Sequence, residues 1–290
     1  MIRIVFLFLI TLLFFSCQKN FSDGAGAVVT PQMIAASNLV DVSYGSDQLQ
    51  KMDVYLPEGR STTTKVLVMI HGGGWSTGDK TDLTVYVDTM KKRLPDYAII
   101  NINYRLAVNA MTTFPTQEND VKAAIDYIYS KRSEYQISDK IVLLGVSAGS
   151  HLALLQAYKY NSPVKIKAVI DFFGPTDMAA MYNDPASVLA PPSTISQMFN
   201  GATPTSNPMA YSQSSPILFA NAQAVPTIIL HGGADPVVKV TQATALKDKL
   251  ISFNIAQQYV FYPTQGHGWT GATLKDSFDK IQVFLTQYVQ

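Results

Sequence analysis

One cysteine, Cys17, stands in a chain of 290 residues. Intrachain disulfides and a cysteine-rich zinc site are therefore excluded. An excess of one charge is lacking as well. The 22 Lys+Arg against 21 Asp+Glu give a formal +1, which argues against a nucleic-acid binder working through a basic face. No apolar run reaches the roughly 20 residues that a membrane-spanning helix needs. No repeat of about 20–50 residues recurs, which leaves out solenoids and propellers. Histidine is scarce, at four. Apolar and aromatic side chains are plentiful: 47% of the chain is hydrophobic, with 15 Tyr, 14 Phe and 10 Met. A disordered chain is too polar to match this. The length is enough to bury a sizeable core, as one large α/β domain or two small ones.

The N-terminus reads Met1-Ile2-Arg3, then an apolar stretch over 4–15 broken only by Thr11, then Ser16-Cys17-Gln18-Lys19-Asn20. A basic start, an apolar core and a small residue before a break describe a secretory signal peptide. The stretch also resembles a bacterial lipoprotein signal, whose lipobox ends in Cys. That resemblance implies removal of residues 1–16, a lipid on Cys17, and attachment to a bacterial cell envelope on the periplasmic face or at the outer membrane. Phe14 and Phe15 depart from the usual lipobox, which favours Leu and then a small residue. An ordinary signal peptide, cut elsewhere and leading to secretion, is the alternative. Loss of residues 1–16 removes one charge, Arg3, leaving 21 against 21. Residues 17–38 are small and polar without a period, as a flexible tether would be.

From residue 39 the pattern changes to that of a folded domain running to residue 290. Segments 40–44 and 49–56 alternate apolar and polar around Gly45-Ser46-Asp47, as a half-buried antiparallel pair would. Continuous apolar runs follow at 66–70, 97–102, 141–144, 168–170, 227–230 and 258–262, which suit strands buried on both faces of a parallel sheet. Helical patterns occupy 84–94, 117–135, 150–160, 241–253 and 274–288. Strand and helix in alternation predict an α/β fold with a mostly parallel central sheet between helices. The stretch from about 178 to 224 breaks the alternation with Pro185, Pro191, Pro192, Pro204 and Pro208. It predicts a small cap insertion that buries Met181, Tyr182, Met198, Phe199, Met209 and Tyr211.

Gly145-Val146-Ser147-Ala148-Gly149 has the form G-x-S-x-G. Three fixed residues arise by chance in about one chain in ten of this size, given Gly near 7%. The setting adds the weight: an apolar strand directly precedes the motif and a helical pattern directly follows it, as a nucleophile elbow requires. A serine hydroxyl needs a base. His71 opens His71-Gly72-Gly73-Gly74-Trp75 and is expected to hold that loop. His151, four residues after Ser147, faces packing, and His231 ends a strand. His267, in Gln265-Gly266-His267-Gly268-Trp269 after the last strand, is the expected base on chain order and loop position. The acid that orients it should lie between Ser147 and His267. Asp235 is preferred, with Asp171 as the fallback; Asp177 also follows a strand. The N–H of Ala148 and the bare amides of the 71–74 loop are the expected oxyanion donors. A phosphate cradle is the weaker reading of that loop, because no Gly-Lys-Ser/Thr or G-x-G-x-x-G follows it.

Val68 to Trp75, Gly78-Asp79-Lys80, Asn103-Tyr104-Arg105-Leu106, Phe114-Pro115, Asp120 to Ala124, Gly145 to Ala153, Asp171 to Asp177 and Leu230 to Val238 occur in this order. Together they resemble the α/β-hydrolase superfamily, in its esterase/lipase branch with the HGGG-type oxyanion loop. The nearest likeness is to the bacterial carbohydrate-esterase-like group related to feruloyl and acetyl-xylan esterases, over roughly residues 39–290. The resemblance implies Ser147, Asp235 and His267 as a triad and Gly73, Gly74 and Ala148 as oxyanion donors, with no cofactor and no metal. Relatives usually have Asp-Tyr-Arg where this chain has Asn103-Tyr104-Arg105, and Gly-Gly where it has Gly149-Ser150.

The expected activity is a serine carboxylesterase acting through an acyl-enzyme on a small-molecule or glycan ester. Membrane contact is expected through the Cys17 lipid, and no nucleic-acid partner is expected. Neither the two tryptophans nor the neutral surface points to an oligomeric interface. Two alternatives accompany this reading. Kynurenine formamidases share a His-Gly-Gly-x-Trp loop, which His71 to Trp75 satisfies, and would make this an amide hydrolase. A catalytically idle ligand-binding lipoprotein on the same fold is the other.

Overall fold

The structure, a computed structural model, describes residues 33–160, 163–164 and 166–290. Cys17, the expected signal peptide 1–16 and most of the expected tether 17–38 lie outside the described residues. The folded body takes up the last residues of that tether. β1 spans Ser37–Ser43, and the Ile34 carbonyl already accepts the Gly59 N–H at 2.8 Å.

The remaining strands are β2 (Lys51–Leu56), β3 (Lys65–Ile70), β4 (Tyr97–Ile102), β5 (Ile141–Val146), β6 (Ile166–Phe172), β7 (Thr227–Gly232) and β8 (Gln257–Tyr262). They form one sheet in the order β1-β2-β4-β3-β5-β6-β7-β8. β1 pairs antiparallel with β2, and β2 with β4; all later pairings are parallel. The helices are α1 (Thr84–Arg93), α2 (Thr116–Ser130), α3 (Arg132–Tyr135), α4 (Ala148–Lys159), α5 (Met178–Asn183), α6 (Pro192–Gln197), α7 (Pro208–Gln213), α8 (Val240–Ser252) and α9 (Gly271–Tyr288).

Alternation along each central strand builds three layers. Val66, Val68 and Ile70 of β3 pack with Val121 and Ile125 of α2, Leu154 of α4 and Leu246 of α8. Leu67 and Met69 point the other way, into a layer shared with Val87 of α1 and Phe278 and Ile281 of α9. Both faces are covered, so the strand positions between can all be apolar. Each fully buried aliphatic side chain contributes about 1.5–3 kcal/mol. β8 departs from this pattern. Only its Val260 is buried, and Phe261 is 45% exposed, because β8 closes the sheet as an edge strand. The helix expected over 117–135 is also interrupted. Lys131 sits at φ −88°, ψ 0°, between α2 and α3.

The segment between β6 and β7 carries α5, α6, α7 and a 3-10 turn at Pro216–Leu218. Met181, Met198, Phe199 and Tyr211 are buried there, with the Phe199 and Tyr211 rings 4.3 Å apart. Met209 stays 72% exposed on α7, so five of the six expected cap residues, and not Met209, turn inward at least in part.

Close approach of backbones shapes the β5–α4 junction. A Cβ on Gly149 would lie 2.1 Å from the Ile70 carbonyl oxygen and 2.5 Å from that of His71. A Cβ on Gly145 would lie 2.3 Å from the Ser150 nitrogen. Overpacking of this kind costs about 1–3 kcal/mol, and more against rigid backbone. Gly149→Ala is therefore expected to lower Tm clearly. Gly201→Ala, at φ 81° with nothing within 4 Å of the added carbon, should bear only the cost of its left-handed backbone, about 1 kcal/mol. Equal Tm losses for the two variants would contradict this packing.

Candidate active site

Ser147 occupies the turn between β5 and α4 at φ 54°, ψ −119°. That is a strained backbone for a residue with a side chain. The turn is held from both sides: the Ser147 N–H donates to the Phe172 carbonyl at 2.9 Å, and its own carbonyl accepts the His151 N–H at 3.1 Å. Ser150 adds a second tie, donating from Oγ to the Gly145 carbonyl at 2.6 Å and accepting the Phe172 N–H at 2.9 Å. Its Cβ occupies the space beside Gly174, where a further Cβ would come within 2.4 Å. A glycine at 150 would lose both bonds.

His267 follows β8 on a loop that lies directly against the end of β7. A Cβ on Gly232 would sit 2.3 Å from the carbonyl oxygens of Gln265 and Gly266, and Gly268 needs φ 114°. The Ser147 Oγ lies 2.8 Å from His267 Nε2. On the other side of the ring, Nδ1 is 2.7 Å from Asp235 Oδ2. With Nδ1 donating to the carboxylate, Nε2 is left to accept the Ser147 hydroxyl proton. Asp235 is almost fully enclosed. Burial alone would raise its pKa, but the His267 bond and charge and the N–H groups of Val238 and Val237 outweigh that and hold it below the usual carboxylate range. The two backbone bonds, at 2.9 and 2.8 Å, both reach Oδ1. Asp235 is therefore ionised and fixed in place.

The loop after β3 faces Ser147 across a cavity of about 480 Å³. Gly73, Gly74 and Trp75 take φ of 104°, 56° and 61°. The N–H groups of Gly73, Gly74 and Ala148 have no acceptor among the described residues, and all three residues line the cavity. Unpaired amides in the wall of the cavity that Ser147 also lines suit a developing oxyanion. The α4 N-terminus adds positive potential there. The cap closes the cavity with Met181, Leu189 and Ile195; Tyr86, Phe173 and Trp269 wall the other side.

The other histidines hold this frame. His71 donates from Nδ1 to the Gly72 carbonyl at 2.7 Å and stacks on Tyr104 at 4.3 Å. His231 donates from Nε2 to the Val238 carbonyl at 2.9 Å, beside Asp235. His151 does more than fill space: its Nδ1 accepts the Trp75 indole N–H at 3.1 Å, and its Nε2 donates to the Ser214 carbonyl at 2.6 Å. It thus ties the glycine loop to the cap, and burial pushes its pKa down to about 4. The spacing of four from Ser147 was the only sequence signal for this. Lys80 and Asn103 form a second support. Lys80 is buried against Asp53 and Asp41, each at 2.9 Å. Its N–H donates to Asn103 Oδ1, while the Asn103 amide donates to Asp79 at 2.6 Å. The amide at 103 can donate and accept at once, which a carboxylate could not.

The two other acids are not brought to His267. Asp177 caps α5 through the Ala180 N–H at 2.9 Å. Asp171, the fallback, is fully buried beneath α4, where Oδ1 accepts the Gly174 N–H at 2.8 Å and Oδ2 has no partner among the described residues. Burial pushes its pKa up to about 7, against the smaller lowering effects of Gly174 and Ser150. The unfolded chain releases this proton near pH 4. The native state therefore holds the extra proton between about pH 4 and about pH 7, and stability falls as pH rises through that window. Asp171→Asn keeps the Oδ1 acceptor and cannot ionise. Its Tm relative to wild type should rise between pH 5 and pH 8; a pH-independent difference would contradict the raised pKa.

The BD-FAE family model matches residues 52–250. "Probable carboxylic ester hydrolase LipM" of Mycobacterium tuberculosis is 30% identical over 236 residues, covering 77% of this chain and 53% of its own. The chain spans between about half and two thirds of the length of this relative and of LipC and LipQ from the same organism. Among solved structures, a truncated carbohydrate esterase from gut microbiota superimposes with a TM-score of 0.75 at 26% identity, covering 87% of this chain and 96% of its own. A bifunctional GH43-CE protein of Bacteroides eggerthii gives a TM-score of 0.76 at 27% identity, over 89% of this chain and 39% of its own. With its eight-stranded sheet and its serine on the β5–α4 turn, the chain belongs to the BD-FAE family of α/β-hydrolase esterases.

Proposed function

We propose that this chain is a serine carboxylesterase that removes acyl groups from carbohydrates, held at a bacterial cell envelope by a lipid on Cys17. The observation that carries the reaction is the line Ser147 Oγ, His267 Nε2, His267 Nδ1, Asp235 Oδ2, with steps of 2.8 and 2.7 Å. Ser147 Oγ attacks the ester carbonyl carbon as His267 Nε2 takes its proton. The carbonyl oxygen becomes an oxyanion and receives the N–H groups of Gly73, Gly74 and Ala148. Asp235 steadies the imidazolium. Collapse breaks the bond to the alcohol, which leaves with the proton from His267. Water then gives its proton to His267 and attacks the acyl-serine, and the acid departs as Ser147 regains its hydrogen.

The cavity supports a bulky, hydroxyl-rich alcohol. Phe173 lies 4.6 Å from the His267 ring and 5.3 Å from Trp269, and flat aromatic faces suit the C–H faces of sugars. Asp82 and Tyr86 also line the cavity. Burial pushes the Tyr86 hydroxyl up to about 12, so it stays a donor at neutral pH. Two of the similar structures are named a carbohydrate esterase and a GH43-CE protein. The envelope address rests on residues 1–17 of the sequence.

Turnover of a short-chain aryl ester, acetylated and feruloylated glycans, and a formylated aryl amine tests the reading. Ester cleavage should exceed amide cleavage, and Asp235→Asn should lower kcat by about 10³–10⁴-fold through loss of the His267 tautomer. Faster cleavage of the formyl amide would make the chain an amide hydrolase. Binding without turnover of any substrate would make it an idle ligand-binding protein.

A further inference from the structure

The three residues with unpaired amides in the cavity wall belong to two separate segments. Gly73 and Gly74 lie on the loop after β3, and Ala148 opens α4. An oxyanion can use all three only if loop and helix are held at a fixed separation. Gly73 is fixed by its own turn. Its carbonyl accepts the N–H groups of Ser76 and Thr77 at 3.2 and 3.0 Å and the Thr77 hydroxyl at 2.9 Å. Gly74 has no such hold. It makes no hydrogen bond among the described residues, and where a Cβ would point no atom beyond its chain neighbours comes within 4 Å. Its amide therefore stands where the next residue, Trp75, is held.

Trp75 takes a left-handed backbone at φ 61°, a conformation that persists in a residue with a side chain only when the surroundings enforce it. Its carbonyl accepts the Ala107 N–H at 2.8 Å. Its indole N–H, a donor only, goes to His151 Nδ1 at 3.1 Å, with the two rings edge to face at 5.2 Å. His151 lies on α4 one turn after Ser147, and its own N–H donates to the Ser147 carbonyl at 3.1 Å. The imidazole thus moves with the Ala148 amide and grips the loop that carries the other two.

The ring is matched to its partners atom by atom. The Ser214 carbonyl can only accept, and it takes the Nε2 proton at 2.6 Å. The two partners together dictate one neutral tautomer, and burial, which pushes the pKa down to about 4, favours the neutral ring. His151, Trp75 and Ser214 are all buried. An aliphatic side chain at 151 would fill the space but leave an indole N–H and a carbonyl unpaired.

We infer that His151 is a positioning residue for ester cleavage: by holding the Trp75 indole N–H from α4, it sets the Gly73 and Gly74 amides against the Ala148 amide as an oxyanion requires. This rests on the esterase reading above. The oxyanion forms only after substrate has bound, so loosening the link lowers kcat and leaves KM in place.

The test measures kcat and KM of the full chain on an aryl acetate. Only serines that a fluorophosphonate labels to completion are counted, so unfolded molecules drop out. Trp75→Phe keeps an aromatic ring and removes the donor. His151→Leu removes the acceptor, whereas His151→Gln still accepts with Oε1 and donates with Nε2. Trp75→Phe and His151→Leu should each lower kcat about tenfold, a part of the roughly 10²–10³ that a lost oxyanion donor costs, with KM within about twofold. The double variant should be no slower than the slower single one, because both break the same link. His151→Gln should stay within about threefold of wild type.

Unchanged kcat in Trp75→Phe, losses that fall on KM, losses that multiply in the double variant, or a Gln variant as slow as the Leu variant overturns the inference and leaves the esterase. Where His151→Leu yields no folded protein, Trp75→Phe and His151→Gln decide it: a slow Phe variant beside a fast Gln variant supports the link, and any other pairing overturns it. No turnover of the aryl acetate by the wild-type chain overturns the esterase reading and this inference with it.

Discussion

The tight turn at Ser147 is the constraint on which the site depends. Its backbone sits at φ 54°, a strained conformation of order 1–3 kcal/mol. The surroundings over-determine it. The Phe172 carbonyl takes the Ser147 N–H, Ser150 binds strand and helix together, and Gly145 and Gly149 let α4 start against β3 and β5 without a clash. The same strain lifts the hydroxyl off the sheet and leaves the first amide of α4 free. The position of the Ser147 hydroxyl and the free amide beside it are therefore one structural event. The parallel sheet supplies the rest, since the loops after β3, β7 and β8 leave from the same edge as this turn.

Electrostatics then fix the direction in which a proton can move. Asp235 is enclosed yet stays ionised because His267 and two backbone amides meet its oxygens. His231 and His151, both lowered in pKa by burial, remain neutral and serve as bridges. Of the four histidines, His267 alone combines a carboxylate on one nitrogen with a serine hydroxyl on the other. The cap is bound into the same frame through His151 and the Ser214 carbonyl. Movement of the cap would thereby be felt by Trp75, beside the glycine loop.

The sequence carried the fold well because its signals are redundant. Runs such as Val66 to Ile70 and Ile141 to Leu144 are apolar at every position, which only strands covered on both faces need. In β8 the sequence pattern makes Tyr259, Phe261 and Tyr262 core residues, while an edge strand leaves one side of them open. At the site, G-x-S-x-G and the glycine loop were legible because close backbone contact demands glycine. The choice between Asp235 and Asp171 was harder. Both follow apolar residues of a strand, and only the third dimension reveals that β6 carries Asp171 beneath α4 while the loop after β7 meets His267. The links Trp75–His151–Ser214 and Lys80–Asn103–Asp79 join distant segments, so beyond the four-residue step from Ser147 to His151 no spacing announces them.

The central claim is that Ser147 is activated by His267, and labelling of the full chain with a fluorophosphonate, followed by peptide mapping, tests it most directly. The probe phosphonylates a serine whose base is in place and does not require the natural substrate. The account predicts one adduct, on Ser147, that disappears in His267→Ala. An absence of labelling in folded protein, an adduct on another residue, or labelling of Ser147 that survives the loss of His267 would contradict it.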